Sequence, residues 1–156
     1  MCGIAGLIHK GKTVNIGKEL QDMLQALKHR GPDSTGFALY GQGNNQGDYI
    51  MRFKVGENVA EGSTAVNEDK SVYDARRKEV DKHIRDLGGS IVNDAQLTPY
   101  SFRYCIKYDK DLMEFSKKIE SVEMTEILSL GKSLELVKDI GDANVVSKQY
   151  GLDKIQ

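Results

Sequence analysis

Between Pro99 and Asp109 the chain alternates without a break. Tyr100, Phe102, Tyr104, Ile106 and Tyr108 fall on one face, and Ser101, Arg103, Cys105 and Lys107 on the other. Successive side chains of a strand point to opposite faces, so a period of two predicts a half-buried β-strand with its aromatic face inward. The tyrosines then form a core stripe rather than a stacking platform for bases. Cys105 reads as an ordinary residue of the polar face, with no His near it in sequence.

Other segments carry weaker signals. "CGIAGLI" is an apolar run of strand length, compatible with a strand buried on both faces. Leu20, Met23, Leu24 and Leu27 recur at i, i+3, i+4 and i+7, which predicts an amphipathic helix with that stripe inward. Lys28, His29 and Arg30 fall in its last turn, and Gly31 with Pro32 ends it. "STGFALYG" and "YIMRFKV" read as strands joined by the Gly- and Asn-rich turn "GQGNNQGD". A polar stretch follows residue 56. Beyond it, "SVYDARRKEVDKHIRDLGG" predicts a charged helix with Val72, Val80, Ile84 and Leu87 inward. "DKDLMEFSKKIESV" predicts a helix burying Leu112, Phe115, Ile119 and Val122. "EILSLGKSLELVKDIG" suggests a β-hairpin about Gly131-Lys132. "DANVVSKQYG" reads as a short helix capped by Asp142 and stopped by Gly151.

The 22 basic and 23 acidic residues nearly cancel, which argues against a nucleic-acid binder. No apolar run approaches the roughly 20 residues of a membrane helix, and no signal peptide is legible, so no membrane partner is expected. Cys2 and Cys105 are the two cysteines, too few for a disulfide framework or a zinc site. The expected location is the reducing cytoplasm, and no metal site is expected.

Cys2 directly follows the initiator methionine. A thiol is nucleophilic as the thiolate and needs a base. Removal of Met1, favoured by a small second residue, leaves Cys2 with its own α-amine, whose reference pKa is about 7.7–8.0. That amine can accept the thiol proton near neutral pH. About 28 residues on lies "HRGPDSTG", by itself ordinary turn chemistry.

The two stretches together are far more specific. "MCGIAG" followed by "LKHRGPDSTGF" resembles the class II glutamine amidotransferases, which are N-terminal nucleophile hydrolases. Cys2-Gly3-Ile4 matches the family's processed terminus, and Arg30-Gly31-Pro32-Asp33 its Arg-Gly-x-Asp motif. The resemblance implies that Cys2 attacks the side-chain amide of L-glutamine, forms a glutamyl thioester and releases ammonia. Arg30, Gly31 and Asp33 become active-site support: Arg30 orders the terminus, Gly31 lets the backbone approach glutamine, and Asp33 braces the loop.

The family also uses an oxyanion-hole Asn-Gly pair and an arginine strand for the glutamine carboxylate. No Asn-Gly pair occurs in these 156 residues. The nearest match to the arginine strand, His83-Ile84-Arg85, falls in the charged helix and reads as a solvated face. The expected fold is therefore α+β: part of an N-terminal nucleophile αββα sandwich with an inserted α+β segment. Residues 1–56 are assigned to the front of the amidotransferase domain. Residues 57–156 are assigned to the insertion leading to a missing second half. A long insertion is similar to the amidotransferase subunits of archaeal-type glutamate synthases and N-methylglutamate synthases. That implies a synthase subunit as ammonia acceptor, with flavin and iron–sulfur cofactors on the partner and none bound here. The alternatives are an amidotransferase of another synthase, of asparagine or amino-sugar type, and an incomplete scaffold acting in subunit contacts.

Overall fold

The computed structural model describes residues 2–11, 15–30, 33–41, 48–59 and 67–155. Met1, the Gly31–Pro32 helix stop, most of the turn over 41–48 and residues 60–66 of the polar stretch lie outside the described residues.

The α-helices and strands are α1 (Ile16–Ala26), β1 (Ser34–Tyr40), β2 (Tyr49–Lys54), α2 (Lys70–Asp86), β3 (Ser90–Thr98), β4 (Ser101–Lys107), α3 (Leu112–Ile119), β5 (Glu126–Gly131), β6 (Leu134–Ile140) and α4 (Ala143–Tyr150). Short 3-10 turns cover Lys28–Arg30 and Leu152–Lys154. The fold is α+β, with antiparallel sheets and four α-helices among the described residues. No described helix is long and apolar enough to cross a membrane. The chain divides into two compact units. One comprises Met1–Phe37, Asn58–Thr64 and Lys138–Gln156; the other comprises Ala38–Glu57 and Ala65–Val137.

The larger unit is organised by the alternating strand. Its sheet runs β3-β4-β2-β5, and every neighbouring pair is antiparallel. With α2 between β2 and β3, and α3 between β4 and β5, this is the split β-α-β, or ferredoxin-like, topology. Phe102, Tyr104 and Ile106 of β4 meet Met51 and Phe53 of β2 in one buried cluster with Tyr73, Val80 and Ile84 of α2 and Phe115 and Ile119 of α3. Both helices thus cover the same sheet face. Phe53 stacks edge-on against Tyr104, with ring centroids 4.9 Å apart. Such pairs contribute about 0.5–1.5 kcal/mol beyond area burial.

Two expectations change here, and one strand appears that the sequence does not signal. The inward stripe of α2 runs through Tyr73, Arg76, Val80 and Ile84, while Val72 is 36% exposed. Val72 lies one residue, about 100° of helix, off the phase set by Val80 and Ile84. Strand β3 carries no alternating signal, because it is an edge strand whose residues are mostly exposed. The hairpin about Gly131-Lys132 does not form. β5 pairs with β2, whereas β6 pairs with β1 in a separate two-stranded sheet. Ile127 and Leu130 on β5 pack against the aromatic core. The Leu136 amide donates to the Ser129 side chain, 3.0 Å away, rather than to a backbone ladder.

The other sheet face holds charges. Arg52 and Arg103 are direct cross-strand partners. Like charges so placed repel. Glu135 resolves the repulsion: its carboxylate accepts from Arg52 Nε at 2.6 Å and from Arg103 Nε and Nη2 at 2.8 Å each. Burial alone pushes the Glu135 pKa up, but the two guanidiniums, Arg103 first, outweigh it and hold the carboxyl below its usual range. A depressed native pKa contributes stability above the unfolded value, near 4.3, that is lost as pH falls through the native one. Glu135→Gln leaves two opposed guanidiniums without their anion. The expected cost is about 3 kcal/mol at pH 7 in urea denaturation, with the gap to the native sequence closing below pH 4.

Candidate active site

In the smaller unit, α1 lies against α4 and the 3-10 turn after it. The side of α1 that is buried is Gly17 and Gln21; Leu20, Leu24 and Leu27 are half-buried and Met23 is 40% exposed. The expected leucine stripe is therefore not the docking face. Gly17 donates its amide to Ile155 O at 3.1 Å, and a Cβ at residue 17 would stand 1.8 Å from Leu152 O. Gln21 donates to Asn144 Oδ1 at 2.7 Å and accepts from Ser147 Oγ at 2.9 Å. Asp142 and Gly151 cap α4 as expected: Asp142 accepts from the Val145 amide, and Gly151 takes a φ of 65°.

Residues 2–9 form no strand. Ile4 and Ile8 are each 92% exposed, while Gly3, Ala5 and Leu7 are half-buried. The expectation of a strand buried on both faces is overturned. A strand needs a neighbour for its amide and carbonyl groups, and none pairs with this segment among the described residues. What fixes the segment is α1. A Cβ on Gly3 would sit 3.0 Å from Leu27 Cβ and 3.6 Å from Arg30 Cβ. At the other end, His9 Nε2 lies 2.9 Å from Glu19 Oε2.

This packing builds a cavity of about 330 Å³, lined among others by Cys2, Leu27, Lys28, Arg30, Asp33 and Ala143. Cys2 is a free, exposed thiol. Arg30 ends the 3-10 turn that follows α1, so Lys28, His29 and Arg30 stand beyond the helix rather than in its last turn. Asp33 is held through its backbone, its carbonyl accepting from the Gly141 amide at 3.1 Å. Thr35 Oγ1 donates to Gly141 O at 2.8 Å. Three sequence-predicted positions, Cys2, Arg30 and Asp33, thus share one cavity, while Gly31 lies outside the described residues. His29 does not line it. Two cations, Lys28 and Arg30, and one carboxylate, Asp33, line the cavity along with the thiol, a mixture that can hold a zwitterion.

Sequence reasoning missed the contribution of α4. Ala143 lies far along the chain, and only the docking of α4 on α1 brings it here. Behind it, Asp142 is held below the usual carboxylate range by the Val145 amide, and next by the Gln25 side chain and the charge of Lys28. The remaining notable residues stay structural. His83 bonds Lys118 O from α2, Arg85 is exposed, and the buried Cys105 thiol faces Asp48.

No family model matches the chain. It is 31% identical over 154 residues to a Methanothermobacter thermautotrophicus protein that carries a provisional glutamine amidotransferase name. That match covers 96% of this chain and 47% of the relative, so the chain spans about half the relative's length. A provisionally named glutamine-hydrolysing asparagine synthetase of Methanocaldococcus jannaschii is 52% identical over 40 residues, 26% of this chain and 8% of the relative. The glutamine amidotransferase-like protein GlxB of Rhizobium meliloti is 49% identical over 43 residues, 26% of this chain and 14% of the relative. These relatives support a glutamine amidotransferase family.

The Asp142 cap ties the cavity to stability. Asp142→Ala is expected to cost about 1 kcal/mol at pH 7 in denaturant titration. Because the native pKa is depressed, that contribution is present above the unfolded value near 3.9 and fades as pH falls below it. The native and variant curves should converge as pH falls through the lowered native value.

Proposed function

We propose that this chain carries the nucleophile of a class II glutamine amidotransferase, with Cys2 attacking the side-chain amide of L-glutamine. The observation that carries the reading is the meeting on one cavity of Cys2 with Arg30 and Asp33, which lie 28 or more residues after it and which the paired motifs single out. The relatives' names support it.

In this reading, loss of Met1 frees the Cys2 α-amine as the base. The amine takes the thiol proton, and the thiolate adds to the amide carbonyl carbon. Collapse of the tetrahedral adduct breaks the carbon–nitrogen bond, and the ammonium returns its proton to the leaving nitrogen, which departs as ammonia. Water then cleaves the γ-glutamyl thioester to glutamate and restores the thiol. Arg30 orders the terminus beside it, Gly31 admits the substrate, and Asp33 braces the loop. The oxyanion-hole Asn-Gly pair and the carboxylate-binding arginine come from outside these 156 residues, completing an αββα sandwich around the cavity.

The ammonia acceptor is a glutamate synthase-type subunit in the cytoplasm, with flavin and iron–sulfur chemistry on that partner. A second reading keeps the thioester chemistry and changes the acceptor. The similarity to a relative named as an asparagine synthetase favours it.

Intact mass and covalent labelling test the nucleophile. The mature chain is expected to lack Met1. A diazo-ketone analogue of glutamine should add once, at Cys2, in a chain long enough to span the relatives, and not at all in Cys2→Ala. Retained Met1, or no adduct in a chain of any length, removes the enzyme reading and leaves the scaffold.

A further inference from the structure

The Gln25 side chain makes two bonds at the start of α4. Its Oε1 accepts from the Asn144 amide at 3.1 Å, and its Nε2 donates to Asp142 Oδ2 at 3.2 Å. The other Asp142 oxygen accepts from the Val145 amide at 3.1 Å. The first amides of a helix have no partner within it. Here α4 is capped by two residues, Asp142 from its own segment and Gln25 from α1.

Gln25 does not line the cavity, yet its neighbours do. Leu24, Leu27 and Lys28 line it from α1 and the turn after it, and Ala143 from α4. Among the described residues, the shared cap fastens α1 to α4 next to those two walls; the Gln21 bonds to Asn144 and Ser147 lie one turn further back. We infer that Gln25 is a positioning residue for the Cys2 site: it locks the end of α1, and with it Gly3 packed on Leu27, against the first turn of α4. A glutamine-sized ligand needs both walls at fixed spacing, and displacements near 1 Å at a reacting centre cost up to about a hundredfold in rate. A small reagent that meets only the thiol does not need them. This inference rests on the glutaminase reading.

The test compares two reagents on the full-length protein. Gln25→Leu keeps the size and removes both bonds. Labelling of Cys2 by the diazo-ketone glutamine analogue should slow tenfold or more, while alkylation by iodoacetamide stays within about twofold. Gln25→Glu supplies the diagnostic pH profile. Its protonated carboxyl can donate to Asp142 and accept from the Asn144 amide, as the native amide does. Its ionised form opposes the Asp142 carboxylate, with Lys28 as the cation acting on that pair. Analogue labelling relative to the native protein should therefore fall as pH rises from about 5 to 8. Native-like analogue labelling of Gln25→Leu overturns the inference. So does equal slowing with both reagents, or a flat profile for Gln25→Glu. If the native protein alkylates with iodoacetamide but takes no analogue, the glutaminase reading falls and this inference falls with it.

Discussion

The absence of a side chain at residue 17 sets how closely α1 can approach the end of the chain. No other residue type could leave the helix backbone in contact with Leu152 O, since a Cβ would stand 1.8 Å away. That approach brings Gln21 within reach of Asn144 and Ser147, and Gln25 within reach of Asp142. Once the two helices are fastened, the turn after α1 and the start of α4 wall the same cavity, which Cys2 also lines. The fastening is polar where helical periodicity favours leucines. The leucine stripe is left half-buried, with Gly3 packed against Leu27.

The larger unit follows a different rule. Its core is aromatic and its topology regular, so burial of the Tyr100–Ile106 face supplies most of the organising force. The opposite face sets two arginines directly across from each other, an arrangement that only a shared carboxylate makes tolerable. Glu135 arrives from β6, the strand that sequence pattern would fold back onto β5. β5 ladders with β2 through one edge and buries Ile127 and Leu130, while β6 ladders with β1 instead of the other edge of β5.

Legibility tracked how local each cause is. The strand at 101–107, the strands at 34–40 and 49–54, the capped helix at 143–150 and the inward Phe115 and Ile119 all follow from periodicity or capping within a few residues. Edge strand β3 was silent because an exposed strand needs no apolar alternation. The first segment departs from its apolar pattern because apolar residues in a row signal a buried strand only if partners exist, and Ile4 and Ile8 here are exposed.

The candidate site divides the same way. Sequence by itself determined which groups are chemically competent: a thiol at residue 2 able to gain its own amine, and an Arg-Gly-x-Asp motif at a telling distance. Covalent order fixes those properties, and no fold is needed to read them. Only the tertiary structure decided that Cys2, Arg30 and Asp33 share a cavity, that α4 closes one side of it, and that a glutamine on α1 fastens the wall. Those facts depend on how closely two helix backbones approach. That distance is set by a missing Cβ and a few amide hydrogen bonds between residues more than a hundred positions apart. No local pattern in the chain encodes it.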